Sequence, residues 1–275
     1  MTHEIEDACR VDGEPEGRER TQSSESLDEP IPVMLVHGAP DRERSFNATI
    51  RELTGYAVTT YDRRGYGQRA GHQPVPSGDI FEHADDLIAM LGERPSAVVG
   101  HSFGGIVAMA ASIKAPDLIT SLGLWEPPLV WTSWWPDNRM RDATVKLAAS
   151  PDLVILGELY TRRAMGETAW HALPAAQRAS FQAEGAALQA DMRSILSEPF
   201  PLAAVRAPIL VGCGSGGTQG YDDVARGLAS FLSTELFEVA GASHLVHVTQ
   251  PVAFAHFVRR AVSLGPTQLS TDRSP

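Results

Sequence analysis

The stretch SAVVGHSFGGIVAMAAS, residues 96–112, decides the predicted fold of this chain. An apolar run typical of a strand buried on both faces leads to Gly100, and an alanine-rich segment typical of a helix follows Gly104. Ser102 stands between the two glycines in a G-x-S-x-G pattern. A strand that turns sharply into a helix strains the residue at the turn, and flanking glycines remove side chains that would clash. We therefore predict that the Ser102 hydroxyl is an exposed nucleophile. The pattern without this context would indicate only a tight turn.

Apolar runs and helical stretches alternate through most of the chain. In the segment IFEHADDLIAML, residues 80–91, apolar side chains recur on one helical face. Strands that alternate with helices indicate a mostly parallel sheet with helices on both sides, which is the doubly wound α/β class. The strand-like runs are IPVMLVHG, YAVTTYD, SAVVGHS, LITSLGLWE, APILVGCG and TELFEVAGASH.

One interval breaks this alternation and predicts an inserted helical cap. Residues 127–206 contain helical patterns and no convincing strand, so we expect the α/β core to comprise residues 31–126 and 207–265. Residues 1–30 hold ten acidic residues against three arginines and few large apolar residues. Such a segment buries too little surface to offset the entropy of ordering, so we expect a disordered tail there. Residues 266–275 are expected to form a second, polar tail.

Composition excludes several classes of function. The formal net charge of −11 argues against a nucleic-acid surface, which needs concentrated Lys and Arg. Cys9 and Cys213 are the two cysteines, and their positions support neither a disulfide framework nor a thiolate metal site. We see no signal-peptide pattern and no apolar run near the ~18 residues that a membrane helix needs. We therefore expect a cytoplasmic protein without a membrane partner.

A serine nucleophile needs a base and a site for the oxyanion. His244, in VAGASHLVHVTQPVAF, follows the last strand-like run, and loops at the carboxyl ends of parallel strands face one crevice. We predict His244 as the base, against the alternative of a surface-loop histidine. The amides of Ala39, after the glycine of LVHG, and of Phe103, after the nucleophile, are the predicted oxyanion donors. His247 is assigned to packing or hydrogen bonding, and no metal is predicted.

The motifs HGAP, YDRRGYGQ, GHSFGG and GASHLVH, in this order, resemble the α/β-hydrolase fold superfamily over about residues 31–265. The similarity is strongest to small capped esterases, perhydrolases and C–C hydrolases. Dehalogenase and epoxide hydrolase relatives attack with a carboxylate, so Ser102 makes their chemistry unexpected here. The resemblance also implies that YDRRGYGQ is a structural turn. The family usually has an antiparallel hairpin before the HG strand, and here we expect fewer strands at that edge.

The sequence does not show directly which acidic residue would complete a triad with Ser102 and His244. Most relatives carry it after the strand that corresponds to PILVGCG, where this chain has Gly217. Glu126 directly follows another apolar run, is followed by two prolines that stop the strand, and lies 24 residues after Ser102, so that the two strands should be neighbours. We predict Glu126 as the acid. Asp222 or Asp223, or a Ser-His dyad or inactive protein, are the alternatives.

Four tryptophans cluster where the chain leaves the predicted sheet for the cap. We interpret Trp125, Trp131, Trp134 and Trp135 as walls of a substrate crevice, although they could equally attach the cap to the core. The resulting hypothesis is a cofactor-free serine hydrolase that cleaves an ester, lactone or related acyl bond of a small apolar substrate. A perhydrolase or C–C bond hydrolase with the same triad is an alternative. A non-catalytic ligand-binding relative is another.

Overall fold

The computed structural model of the protein describes residues 29–70, 79–135, 138–216 and 220–266. Most of the two expected tails, Cys9 and Gly217 lie outside these residues. The described chain forms six strands, and each corresponds to one of the predicted apolar runs. They are β1 (Ile31–Val36), β2 (Tyr56–Thr60), β3 (Ser96–His101), β4 (Ile119–Trp125), β5 (Ile209–Gly214) and β6 (Glu235–Val239).

The strands form one sheet in the order β2-β1-β3-β4-β5-β6, and every pair of neighbours is parallel. The chain places β2 on one side of β1 and then builds β3 to β6 on the other side, so the order reverses between β1 and β3. Loops that follow the strands at such a reversal border a crevice. The loop after β1 carries Ala39, and the turn after β3 carries Ser102. This topology confirms the predicted doubly wound α/β class.

Helices cover both faces of the sheet, which explains why the strands read as continuous apolar runs. Successive strand residues point to opposite faces, and in the four central strands both sets are largely buried. Leu124 belongs to the apolar cluster on one face of the sheet, whereas Trp125 belongs to the cluster on the other face. The described helices are α1 (Asn47–Glu52), α2 (Ile80–Leu91), α3 (Phe103–Lys114), α4 (Asn138–Ala148), α5 (Leu153–Met165), α6 (Glu167–Ala172), α7 (Ala175–Ala183), α8 (Gly185–Ser194), α9 (Tyr221–Leu232), α10 (Val246–Thr249) and α11 (Pro251–Val262).

Helices α4 to α8 lie between β4 and β5, in the interval where the sequence predicts a cap. Leu188 and Met192 of α8 join the same apolar cluster as α2 and α3, so this helix packs directly on the core. None of the described helices has the length and apolar character needed to cross a membrane.

Candidate active site

Ser102 lies in a strained turn between β3 and α3. Its backbone has φ 53° and ψ −124°, a conformation that residues other than glycine rarely adopt. A Cβ on Gly100 would lie 2.4 Å from the carbonyl oxygen of Gly104, and one on Gly104 would lie 2.2 Å from that of Val36. Both positions therefore accept only glycine. The Ser102 N–H donates to the Trp125 carbonyl at 2.8 Å, which ties the turn to the neighbouring strand.

Glu126 and His244 are in direct contact across the sheet edge. His244 Nδ1 lies 2.6 Å from Glu126 Oε2, and the Gly214 N–H donates to Glu126 Oε1 at 2.8 Å. The Glu126 side chain is completely buried, whereas that of His244 is 26% exposed. A carboxylate at Nδ1 keeps the proton on that nitrogen and leaves Nε2 as the basic atom. The carboxylate that contacts the His244 imidazole is therefore that of Glu126. Asp222 and Asp223, the other two candidates, lie in the first turn of α9.

Two further side chains hold His244, and no motif in the sequence indicates either of them. The Tyr221 ring stacks on the imidazole, with 4.2 Å between ring centroids and 14° between planes. His101 Nε2 donates to the backbone carbonyl of His244 at 2.8 Å. Burial lowers the pKa of His101 well below its usual range, with a further effect from His247. His101 precedes the nucleophile and Tyr221 begins α9, but no local pattern places either residue beside a loop so distant in sequence.

The two predicted oxyanion donors border Ser102 from different elements. A Cβ on Gly38 would lie 2.8 Å from the Ser102 Cβ, so the loop after β1 passes directly beside the turn, and Ala39 is its next residue. Phe103 is the first residue of α3, where backbone N–H groups have no acceptor within the helix. The Phe103 ring points into the core. Its amide, and not its side chain, is therefore the group that this position offers to a ligand.

Asp41, His101 and His247 form a group of potential metal ligands that no spacing pattern in the sequence indicates. Their ligand atoms lie within 4.8 Å of one another. His247 Nε2 lies 3.0 Å from Asp41 Oδ2, and His101 Nε2 is engaged by the His244 carbonyl. Burial would raise the pKa of Asp41, but the His247 hydrogen bond and the charges of the nearby histidines together outweigh burial and lower the pKa. These contacts agree with the predicted hydrogen-bonding role of His247 and join the loop after β1 to α10.

Comparison with known proteins identifies the family. The profile of the alpha/beta hydrolase family matches residues 33–257. This chain belongs to the alpha/beta hydrolase family.

Curated relatives of this alpha/beta hydrolase match it over part of their length. It is 30% identical over 144 residues to lipase LipV of Mycobacterium tuberculosis, which covers 51% of this chain and 52% of the lipase. It is 31% identical over 94 residues to the sn-1-specific diacylglycerol lipase ABHD11 of Mus musculus, covering 33% of this chain and 30% of that protein. The chain thus spans about half or less of these relatives.

Solved structures share the fold of this alpha/beta hydrolase. A bromoperoxidase from Bacillus anthracis has a TM-score of 0.65 at 19% identity, covering 86% of this chain and 92% of its own. E-2-(acetamidomethylene)succinate hydrolase has a TM-score of 0.62 at 20% identity, covering 85% and 91%. At these identities the likeness describes the fold alone.

The tryptophans of this alpha/beta hydrolase have different surroundings. The expectation that Trp125 lines the crevice is wrong, because its ring is fully buried on the other face of the sheet, against Phe254 and Phe257 of α11. Of the other three, Trp131 contacts Phe200, Trp134 contacts Phe231 of α9, and Trp135 packs edge-on against Tyr221. Trp135 thus packs against the tyrosine ring that stacks on the His244 imidazole. Trp134 attaches the segment after β4 to α9.

Proposed function

We propose that this chain is a serine hydrolase that cleaves an ester, lactone or related acyl bond of a small apolar substrate. The observation that carries the proposal is the 2.6 Å contact between His244 Nδ1 and Glu126 Oε2. It gives the histidine a buried carboxylate partner at the same sheet edge as the strained turn of Ser102. A tight turn alone would need no such pair.

In this mechanism Ser102 Oγ attacks the substrate carbonyl carbon while His244 Nε2 accepts the hydroxyl proton. The C=O π electrons move to the oxygen, and the amides of Ala39 and Phe103 stabilise the resulting oxyanion. Glu126 stabilises the imidazolium. As the tetrahedral intermediate collapses, the leaving alcohol takes the proton from His244. Water then attacks the acyl-enzyme by the same sequence and releases the acid and the serine.

The relatives support this bond class. LipV and ABHD11 are named as lipases, and lipases cleave carboxylic esters. The proposed nucleophile of this chain, the Ser102 hydroxyl, suits that bond class. The apolar character of the substrate is inferred from the side chains near the imidazole. Tyr221 covers His244, and Trp135 packs against Tyr221.

The decisive experiment is labelling with a fluorophosphonate, which reacts with an activated serine. We expect rapid labelling of the wild type at Ser102 and none of Ser102→Ala. Glu126→Gln should lower kcat by about 10³- to 10⁴-fold, because the imidazole loses its orienting anion. Asp222→Asn, which replaces a carboxylate of α9, is the matched control and should stay within about twofold of wild type, as expected for a surface substitution outside the site.

An unreactive, folded wild type would contradict the proposal, and equal small losses in the Glu126 and Asp222 variants would exclude the triad. The substrate class is resolved by comparing kcat/KM for aryl esters, lactones and thioesters, with peroxide as a competing acceptor. A preference for peroxide would identify the alternative perhydrolase.

A further inference from the structure

The peptide bond between Gly38 and Ala39 is held by two donors on its carbonyl side. Arg63 Nη2 donates to the Gly38 oxygen at 3.1 Å, and His37 Nδ1 donates to the same oxygen at 2.7 Å. His37 Nε2 accepts the backbone N–H of Arg63 at 2.8 Å, which fixes the tautomer with the proton on Nδ1. Both lone pairs of the Gly38 oxygen therefore have a donor.

A peptide bond is planar, and in its trans form the C=O and the N–H point in opposite directions. The N–H of this bond is that of Ala39, the proposed oxyanion donor. Any group that fixes the Gly38 oxygen consequently fixes the direction of the Ala39 N–H. A positive charge at the carbonyl end also polarises the peptide and strengthens its N–H as a donor.

The Arg63 guanidinium is buried and fully engaged. Its Nε donates to the His37 carbonyl at 3.1 Å, and its Nη2 lies 2.7 Å from Asp191 Oδ2. Neither side chain of this ion pair is exposed to solvent. Tyr66 donates its hydroxyl proton to the same carboxylate oxygen at 2.6 Å, and His83 Nε2 lies 3.2 Å from Oδ1. Burial opposes ionisation of Asp191, but Arg63 and His83 lower its pKa.

Asp191 belongs to α8, one of the helices inserted between β4 and β5. Arg63 lies in the loop after β2, and 128 residues separate the two partners. An unpaired charge at this depth would be strongly unfavourable, so Arg63 keeps this position only while α8 is packed on the core. The inserted helices and the loop after β1 are therefore joined through one guanidinium.

We propose that Arg63 is the positioning residue of the oxyanion hole and that Asp191 makes its position depend on the docking of α8. The inference rests on the proposed function, because it assigns Ala39 as an oxyanion donor. It also gives part of the YDRRGYGQ motif a role in the reaction beyond that of a turn. Arg63 acts through the peptide and does not touch the substrate.

The test compares Arg63→Met and Arg63→Lys with wild type. Loss of a single oxyanion donor lowers kcat by about 10²- to 10³-fold, and a donor that is only misdirected should lose less. We expect Arg63→Met to lower kcat for an aryl ester by about 30- to 100-fold with KM within about threefold. Binding of a trifluoromethyl ketone, which forms an oxyanion on Ser102, should weaken by the same factor. Arg63→Lys should recover part of both, since it keeps the charge.

The matched control is Arg42→Met. Arg42 is a second buried arginine that joins the core to the inserted helices, through Glu184 at 2.5 Å and Ser180 at 3.2 Å. Its side-chain contacts are with those helices and with the Phe181 ring, not with the Gly38 carbonyl. We expect this variant to stay within about threefold of wild type in ketone affinity, as for the loss of an interaction outside the reacting groups.

Equal ketone affinity in folded Arg63→Met and wild type would overturn the inference, and so would equal losses in the Arg63 and Arg42 variants. If Arg63→Met does not fold, Asp191→Asn replaces it. That variant keeps the shape of the side chain but releases the guanidinium, and it should weaken ketone binding by about three- to tenfold with little change in KM; unchanged ketone affinity would equally overturn the inference. A wild type that neither reacts with fluorophosphonate nor binds the ketone would instead refute the proposed function.

Discussion

At the scale of single residues, backbone strain coincides with the proposed chemistry. Ser102 and Glu126 both have positive φ, at 53° and 45°, without being glycine. Each is held by a hydrogen bond to a neighbouring strand, from Ser102 to the Trp125 carbonyl and from Glu126 to that of Gly212. A strained backbone conformation persists only where the contacts around the residue hold it in place. Ser233 has a similar φ, but it caps α9 in the ordinary left-handed region.

Two adjacent glycines in the first turn of α3 provide a test of this local geometry. A Cβ on Gly104 would overlap the backbone of β1, whereas one on Gly105 would have its nearest neighbour, the Pro127 side chain, at 3.3 Å and the Gly100 carbonyl oxygen at 3.5 Å. We expect Gly104→Ala to lower the free energy of unfolding by more than about 3 kcal/mol. Gly105→Ala should stay within about 1 kcal/mol of wild type, because better helix propensity offsets a tight contact. Urea denaturation of both variants would measure this, and equal losses would contradict the described approach of α3 to β1.

At the scale of elements, the inserted helices not only pack on the core but also supply carboxylates that pair with buried arginines of the core. The side chains of Glu184 and Asp191 reach Arg42 and Arg63 of the core. Burial raises the pKa of Glu184 to about 7, even though Arg42 opposes the rise. The orientation of α8 is therefore set by buried polar contacts together with its apolar side chains. Helix α5, which packs on α8, has a start that is defined more locally.

The start of α5 depends on a side-chain cap. Asp152 is exposed, and its carboxylate accepts the Ile155 N–H at 2.9 Å. We expect Asp152→Ala to lower the free energy of unfolding by about 1 kcal/mol, since one of the first helical N–H groups loses its acceptor. Asp152→Asn keeps an acceptor oxygen and is the control, with an expected change of only a few tenths of a kcal/mol. Matching losses for the two variants in urea denaturation would mean that the charge, and not the cap, is what matters.

At the scale of the whole molecule, the core encloses imidazoles whose burial opposes protonation. Burial lowers the pKa values of His37, His83 and His101, and that of His37 falls to about 4, helped by the nearby Arg63 charge. The unfolded chain binds protons at these positions near pH 6.5, whereas the folded chain does not. The unfolded state therefore gains protons first as the pH falls, and stability decreases from about pH 6.5 downward.

The His37 contribution can be isolated. Between pH 6.5 and about 4, its depressed pKa should remove about 3 kcal/mol from the free energy of unfolding. We expect the slope of unfolding free energy against pH to be shallower in His37→Asn by about 1 kcal/mol per pH unit. His256→Asn, at an exposed position of α11, should keep the wild-type slope. Denaturation curves at several pH values measure these slopes, and an unchanged slope in His37→Asn would show that His37 is protonated in the folded state.

Besides motifs that resemble those of the family, the sequence alone determined the fold class and the order of strands along the chain. Those features depend on local physics: apolar runs form buried strands, helical spacing defines one apolar face, and a glycine-flanked serine suits a tight strand-to-helix turn. Glu126 could be selected as a candidate for the same reason, because it directly follows a strand. The choice between Glu126 and Asp222 or Asp223 depends on which carboxylate lies near His244 in the folded chain, and local sequence does not show that.

The tertiary structure decided which distant residues meet. It placed Glu126 on His244, turned Trp125 toward α11, and joined Arg63 to Asp191 and His247 to Asp41. A one-residue change in strand phase would reverse the face that Trp125 occupies, and nothing near Asp191 in sequence indicates a partner 128 residues away. Such contacts follow from strand order and from how the inserted helices pack, and both are properties of the whole chain.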